Sequence, residues 1–147
     1  MKILLQKVTQ AQVRINEKIV AQIGHGFLLL VGITHNDTQT QADKLIDKIL
    51  KLRLFSDPGS TTFMEKNIIE ASGSVLAVSQ FTLYGDCRKG TRPSFTEAAR
   101  PEVAKPLYDY VVTTLQQKGL PVQSGVFGEH MQVSLTNDGP ITLVLEV

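Results

Sequence analysis

Val75-Leu76-Ala77-Val78-Ser79-Gln80-Phe81-Thr82 begins as an apolar run and ends in two hydroxyl groups and an amide. A short apolar run that is followed by turn-forming residues is typical of a strand buried in a sheet. We therefore predict a strand over residues 75–83 and, after it, a polar and basic loop over residues 84–96. The polar groups at the strand end are the first candidates for chemistry, because a packed strand holds such groups in fixed positions.

Two helices are predicted on either side of this segment. Apolar residues at helical spacing predict one helix over residues 39–53, with Asp37 or Thr38 as its N-cap. The second is predicted over residues 100–118, where Pro106 removes a backbone donor and should kink or split the helix.

Strands account for most of the remaining chain. Apolar or alternating runs between turn residues predict strands over residues 3–15, 19–23, 27–33, 122–127, 131–136 and 141–147. Residues 56–74 are rich in Ser, Thr, Gly and Asp and predict a loop with at most one short element. Together these elements predict a single domain over residues 1–147. Its class is α+β and strand-dominated, with two main helices packed on a sheet or partial barrel.

The composition is that of an ordinary soluble globular domain. Of the 147 residues, 42% are hydrophobic and 20% are charged. The longest apolar stretch, at residues 27–31, is far too short to cross a membrane, and the first residues do not resemble a secretory signal. The single cysteine, Cys87, cannot form an intramolecular disulfide. These features predict a cytoplasmic protein that does not act at a membrane.

Charge and metal-ligand spacing narrow the function further. The formal net charge is +1, so nucleic acid would have to be bound by a local basic patch rather than by the whole surface. The three histidines, at positions 25, 35 and 130, share no metal-ligand spacing. We therefore expect neither a metal nor another cofactor.

A second unusual string is Asn137-Asp138-Gly139-Pro140-Ile141-Thr142, which lies between two strand-like segments. Only about 5–6% of X-Pro bonds in folded proteins are cis, so the general expectation for Gly139-Pro140 is an ordinary turn.

Taken together, the two strings resemble the D-aminoacyl-tRNA deacylase family, also called the D-tyrosyl-tRNA deacylase family. The resemblance extends to residues 89–95, to residues 125–128 and to Met131, and so covers most of the chain. It implies an enzyme that hydrolyses the ester between a D-amino acid and the 3′ end of tRNA, and that also removes glycine from the wrong tRNA. The family usually has an arginine where Lys7 stands, and that side chain helps to hold the Gly-Pro loop. Lysine brings charge but no planar fork.

The resemblance places catalysis on Ser79, Gln80, Phe81 and Thr82. An aminoacyl ester is already activated, so its hydrolysis needs positioning and oxyanion stabilisation more than a strong nucleophile. The favoured mechanism is attack by water, assisted by the ribose 2′-hydroxyl, with the N–H groups of Phe81 and Thr82 holding the oxyanion. A covalent role for Thr82 is the alternative, but a hydroxyl nucleophile needs a nearby base and only Asp86 is close in sequence.

Specificity is assigned by the same resemblance to Gly139 and Pro140. A cis Gly-Pro bond would turn backbone carbonyls towards the α-ammonium group of the substrate and leave no room for an L side chain. In the family this loop reaches the active site of the opposite subunit, which implies a homodimer with shared active sites. Phe127 and Met131 are implied as the wall against which the terminal adenine lies. Taken singly, each is better explained as core, because both lie beside predicted strands.

The basic residues Arg88, Lys89 and Arg92 lie in a glycine-containing loop and form a candidate phosphate-binding patch for the tRNA acceptor end. A solvated loop is the simpler interpretation of such a run. Two alternatives therefore stay open at this point. One is a non-catalytic tRNA-binding module that uses the patch, and the other is a related deacylase with an altered chirality preference.

Overall fold

The computed structural model describes residues 1–57, 59–61 and 64–147. The strands in these residues are β1 (Lys2–Ile15), β2 (Lys18–Ile23), β3 (Gly26–Gly32), β4 (Ser74–Ser79), β5 (Val122–Ser124) and β6 (Gln132–Glu146). The helices are α1 (Gln39–Lys51) and α2 (Pro101–Gln117), and a short 3₁₀ helix spans Phe81–Tyr84. The predicted α+β class, with many strands and two main helices, is confirmed.

The long strand β1 organises the sheet. One edge of β1 pairs with β6 over residues 2–14, whereas the other edge pairs with β3 over residues 2–8 and with β2 over residues 11–15. These pairings are antiparallel, and β3, β4 and β5 then follow one another in parallel. The result is one mixed sheet that curves into a nearly closed barrel.

Apolar clusters cover both faces of this sheet. One cluster includes the buried residues of the two helices, and the other is formed by strand residues alone. Strand β3 contributes to both, because Phe27, Leu29 and Val31 belong to the first cluster and Leu28 to the second. This two-residue alternation is what a strand buried on both faces requires.

The N-terminus of α1 shows why its cap is Thr38 rather than Asp37. The hydroxyl of Thr38 accepts a hydrogen bond from the N–H of Thr40 at 3.2 Å. The side-chain oxygen of Gln41 accepts one from the N–H of Thr38 at 2.9 Å, and together these contacts form a capping box. Asp37 is instead paired with the α-ammonium group of Met1 at 2.6 Å, in a buried position.

Pro106 lies inside α2, which continues as one helix from Pro101 to Gln117. Of the two predicted effects of Pro106, the split is therefore wrong, and the kink stays a prediction. Pro106 is exposed, so the carbonyl that its missing N–H leaves without a partner lies on the side of the helix that faces water.

Three strand boundaries differ from the predictions. The strand predicted over residues 75–83 ends at Ser79, because the next residues turn into the 3₁₀ helix. The strand predicted over residues 122–127 stops at Ser124. The two strands predicted at the C-terminus are one strand, β6, because both halves pair with β1 and the Gly-Pro segment bulges out between them.

Neither helix of the described chain is long and apolar enough to cross a membrane.

Candidate active site

A cavity of about 530 Å³ opens where β3 and β4 end, between the start of α2 and the segment before β6. That volume is within the usual range for small-molecule sites, about 300–1,000 Å³. Three of the four predicted catalytic residues and both predicted wall residues line it: Ser79, Gln80, Phe81, Phe127 and Met131. The predicted residues Thr82, Gly139 and Pro140 and the basic patch are not among its lining residues.

The end of β4 fixes the backbone of the catalytic segment. The N–H of Gln80 donates to the carbonyl of Val31 at 2.8 Å, which ties the strand end to β3. Phe81 and Thr82 are the first two residues of the 3₁₀ helix, and the first N–H groups of a helix have no acceptor within it. These two donors are therefore available to a substrate oxygen.

Thr82 is exposed, and its hydroxyl accepts a hydrogen bond from the side-chain amide of Gln80. In the described part of the chain, no carboxylate or histidine is hydrogen-bonded to this hydroxyl. The geometry thus provides Thr82 with a donor, whereas a nucleophile would need a base.

Two glycines allow the catalytic segment to pack closely, and the sequence alone did not single them out for this. A Cβ atom on Gly32 would lie 3.0 Å from Cβ of Leu83 and 3.2 Å from the carbonyl oxygen of Gln80. A Cβ atom on Gly85 would lie 2.9 Å from the ring of Phe95 and 3.0 Å from the carbonyl oxygen of Thr82. Any side chain at either position would therefore push against the segment.

The aromatic wall of the cavity is supported from behind by α2. The ring of Tyr108 lies 6.0 Å from that of Phe127, and its hydroxyl donates to the carbonyl of Ala77 in β4 at 2.9 Å. Burial is the main cause that raises the pKa of Tyr108 above its ordinary value, so the hydroxyl remains a donor. Gly125 makes room for Met131, since a Cβ atom there would lie 2.5 Å from the methionine sulfur.

Phe95, Ala98 and Ala99 form another wall of the cavity, and residues that the sequence did not single out hold their segment. His35 Nε2 donates to the carbonyl of Thr96 at 2.7 Å, and Thr34 Oγ1 donates to the carbonyl of Glu97 at 2.6 Å. The N–H of Ala99 donates to Ile33 at 2.9 Å. Because these partners are far apart in sequence, no local pattern could have revealed them.

Glu129 and His130 also line the cavity and were not predicted as site residues. Their only signal in the sequence is their position between Phe127 and Met131.

One of the three basic residues in the predicted phosphate-binding patch, Arg88, is already paired with a carboxylate. Arg88 forms two hydrogen bonds to the carboxylate of Asp86, at 2.9 and 2.7 Å. These bonds are the main reason that the pKa of Asp86 is lowered to about 2. Among the described residues, Lys89 and Arg92 form no ion pair, so they are the cations left for a ligand.

The peptide bond between Gly139 and Pro140 is cis, and the segment bulges from β6 between the pairs Gln6–Thr142 and Val8–Asn137. Asn137 Nδ2 donates to the carbonyls of Lys7 and Ile141, at 2.9 and 3.0 Å.

Lys7 itself holds the bulge through an ion pair. Its ammonium group lies 2.8 Å from Asp138 and also packs over the ring of Phe55, with the nitrogen 5.2 Å from the centroid.

The bulge and the catalytic segment lie at opposite ends of β3. Lys7 pairs with Phe27, whereas Ser79 pairs with Val31. Phe27 and Val31 are four positions apart on β3, which corresponds to about 13 Å along the strand direction.

No group of three or more His, Cys, Asp or Glu side chains suited to a metal ion is found in the parts of the chain that the structure describes.

The chain is similar to known proteins over its whole length. The family model for D-Tyr-tRNA(Tyr) deacylase matches residues 4–146. A D-aminoacyl-tRNA deacylase of Halalkalibacterium halodurans is 51% identical over 146 residues, with 99% of each chain covered. One from Rhodopirellula baltica is 52% identical, with 100% of each chain covered.

Two solved structures share the fold. The c-Myc DNA Unwinding Element Binding Protein superposes with a TM-score of 0.93 at 37% identity, covering 100% of this chain and 99% of its own. A probable eukaryotic D-amino acid tRNA deacylase superposes with a TM-score of 0.85 over 99% of this chain and 98% of its own. At 18% identity it supports the fold alone.

Proposed function

The chain belongs to the D-aminoacyl-tRNA deacylase family, and we propose that it hydrolyses the ester of D-aminoacyl-tRNA in the cavity at the end of β4. The products are a free D-amino acid and tRNA. The observation that carries this proposal is the convergence of Ser79, Gln80 and Phe81 with Phe127 and Met131 around one cavity. As a member of this family the protein is an ester hydrolase, so the alternative of a non-catalytic tRNA-binding module does not fit.

The chemistry that we propose uses few side chains. A water oxygen attacks the ester carbonyl carbon, and the bond to the ribose 3′-oxygen then breaks. The neighbouring ribose 2′-hydroxyl takes up the proton of the attacking water as it gives its own proton to the departing 3′-oxygen. The N–H groups of Phe81 and Thr82 stabilise the oxyanion, because they are fixed donors that need no reorganisation during the reaction.

This mechanism makes a paired prediction at Phe81. Phe81→Ala keeps the backbone N–H and removes the ring, whereas Phe81→Pro removes both, at a position where proline is tolerated in a helix. Removing one oxyanion donor costs roughly 100- to 1,000-fold in kcat in other enzymes, so Phe81→Pro should be the far slower variant.

The Thr82→Ala variant separates the two mechanisms. With water as the nucleophile, we expect most of the kcat to remain, because the backbone N–H of Thr82 is unchanged. A collapse of kcat with intact substrate binding would instead support Thr82 as the nucleophile.

We propose that the terminal adenine lies against Phe127 and Met131. A half-buried aromatic ring and a thioether suit stacking on a base. The ring of Tyr108 packs behind Phe127, and the absence of a side chain at Gly125 leaves room for Met131.

We further propose that Gly139 and Pro140 reject L-aminoacyl esters at the cavity of a second copy of the chain. The support is that the bulge lies about 13 Å from the catalytic segment of its own chain along the sheet. It is exposed, and Asn137 and Lys7 hold it. A rigid main chain discriminates well because, unlike a side chain, it cannot rotate away from a clash.

A homodimer with shared active sites is part of the same proposal. Strand β6 pairs only with β1 among the described strands, and it exposes Leu135 and Val144. An exposed edge strand with apolar side chains is a surface that proteins normally cover. The Lys7–Asp138 pair also counts against the alternative of an altered chirality preference, since lysine holds the loop as the family's arginine would.

Three finer points complete the proposal. Lys89 and Arg92, with Arg88, contact phosphates of the tRNA acceptor end. Glycine attached to the wrong tRNA is also removed, because glycine has no side chain to clash with the loop. The protein acts in the cytoplasm, where charged tRNA is found.

The decisive experiment compares the hydrolysis of D-tyrosyl-tRNA and L-tyrosyl-tRNA by the purified protein in the presence of EDTA. We expect rapid loss of the D ester alone, with no effect of the chelator. Loss of both esters would retain the hydrolase but refute the chirality filter, and loss of neither would refute the proposed function.

A further inference from the structure

An exposed pair of aromatic rings lies at the mouth of the cavity. Phe81 is 55% and Phe95 39% exposed, and the two rings meet edge to face with centroids 5.2 Å apart. Both residues line the cavity. Large aromatic side chains that remain exposed beside a binding site are often a docking surface for a ligand.

This pair is distinct from the wall formed by Phe127. That ring is half-buried and packs against Tyr108, so it suits a base that enters the cavity. The rings of Phe81 and Phe95 are more exposed, so they suit a base that remains outside. One cavity therefore offers two separate aromatic surfaces.

The loop that joins the two phenylalanines carries two cations, Lys89 and Arg92, that form no ion pair among the described residues, and they favour an anionic strand as the ligand. The loop between the two phenylalanines folds back on itself, with paired backbone hydrogen bonds between Asp86 and Ser94 at 2.7 and 2.9 Å. Lys89 and Arg92 lie between these two paired residues, and both are exposed. Aromatic rings beside unpaired cations are the usual way in which proteins bind single-stranded RNA without reading its sequence.

We propose that Phe95, supported by Phe81, stacks on the base of the nucleotide that precedes the terminal adenosine, and that Lys89 and Arg92 contact the phosphate between the two nucleotides. The inference rests on the proposed function, because it takes the adenosine to be at Phe127. It assigns the enzyme a second nucleotide subsite, so that the single-stranded end of tRNA is recognised as a strand and not only as an esterified adenosine.

The test compares two substrates, D-tyrosyl-adenosine and the D-tyrosyl ester of a CCA trinucleotide. The measured quantity is the ratio of kcat/KM for the trinucleotide to kcat/KM for the nucleoside. This ratio cancels any general damage to the enzyme. Removing one stacking ring reduces the affinity for a base by about 5- to 150-fold in other proteins, so Phe95→Leu should lower the ratio by an amount in that range.

Two further variants sharpen the test. Phe95→Tyr keeps an aromatic face and should retain most of the ratio. Val103→Ala removes exposed apolar surface on α2 from a residue that does not line the cavity, and it should leave the ratio unchanged. Replacing Lys89 and Arg92 with Gln should lower the ratio and flatten its dependence on salt, because fewer counterions are then released.

An unchanged ratio in Phe95→Leu would overturn the inference, and so would a wild-type enzyme that does not distinguish the two substrates. If Phe95→Leu instead dissociates a dimer while the ratio stays the same, the rings contact a second copy and the inference is wrong. If neither ester is hydrolysed, the proposed function fails. Weaker binding of a fluorescent CCA trinucleotide to Phe95→Leu than to the wild type would then still support the subsite, and equal binding would refute it.

Discussion

His35 and His25 form a natural pair for testing whether the wall at residues 95–99 is held in place for substrate binding. Both are exposed histidines whose Nε2 atoms donate to a backbone carbonyl, His35 to Thr96 at 2.7 Å and His25 to Ala71 at 2.9 Å. Only the first of these carbonyls belongs to the segment that carries Phe95, Ala98 and Ala99 of the cavity wall. We therefore predict that His35→Ala weakens substrate binding and that His25→Ala does not.

The magnitude follows from the loss of one hydrogen bond. Such a bond contributes about 0.5–1.5 kcal/mol, and both carbonyls are accessible enough for water to replace part of it. Each variant should therefore lower the free energy of unfolding by an amount in this range, and His25→Ala by somewhat more, because its ring also meets that of Phe55 edge to face with centroids 6.5 Å apart. If the wall must be in place before substrate binds, the same energy appears in KM as an increase of about 2- to 12-fold in His35→Ala. The kcat should change little, because the catalytic segment is held by β3 and β4 rather than by this wall.

The assay is steady-state deacylation of D-tyrosyl-tRNA, together with urea unfolding of each variant. His35→Gln supplies another side-chain N–H donor and should recover much of the KM. Equal KM values in the two alanine variants would refute the reasoning, because the hydrogen bond would then be only structural. A fall in kcat with unchanged KM would refute it as well.

Three further predictions test single contacts. Lys7→Ala should release the bulge and raise hydrolysis of L-tyrosyl-tRNA several-fold, whereas Lys7→Arg should preserve the ion pair and the chirality. Asp37→Asn leaves the buried ammonium group of Met1 without a counter-charge, with the carbonyl of Val147 as its remaining native partner, and it should lower the free energy of unfolding by roughly 3–5 kcal/mol in urea titrations. Arg88→Met should raise the pKa of Asp86 from about 2 towards its ordinary value, as measured by carboxyl ¹³C NMR titration. The stabilising effect of this pair is present above about pH 4 and is lost as the pH falls through about 2.

The elements that could be predicted from sequence are those whose apolar pattern is local. Helix α1 was predicted at residues 39–53 because Ala42, Leu45, Ile46 and Ile49 recur at helical spacing, and all four are buried. Strand β3 was found because an apolar run between glycines is typical of a strand buried on both faces. Prediction succeeded here because burial on one face leaves a period in the sequence, and burial on both faces leaves a short uninterrupted apolar run.

Features that depend on partners far along the chain could not be predicted in this way. Strand β6 continues past Pro140 because β1 pairs with it on both sides of the bulge, over a separation of more than a hundred residues. The contribution of Thr34 and His35 to the cavity wall depends on a segment about sixty residues later. The pairing of Arg88 with Asp86 is local, but a count of charges cannot show which basic residues are already neutralised.

The assignment of Gly139 and Pro140 to the opposite subunit can be tested by mixing two variants. Phe81→Pro is expected to be inactive in its own cavity but to keep an intact bulge. Asn137→Ala keeps an intact cavity, but its bulge loses two hydrogen bonds, so it should hydrolyse L esters as well as D esters.

In a mixed dimer of these variants, the only working cavity would face the intact bulge of the Phe81→Pro chain. Adding an excess of the inactive variant to Asn137→Ala should therefore lower the ratio of L-ester to D-ester hydrolysis towards that of the wild type. If the bulge acted on the cavity of its own chain, the active cavities would keep their loosened bulge and the ratio would stay constant at every mixing proportion. A constant ratio, with subunit exchange verified by mass spectrometry, would thus refute shared active sites while leaving ester hydrolysis itself intact.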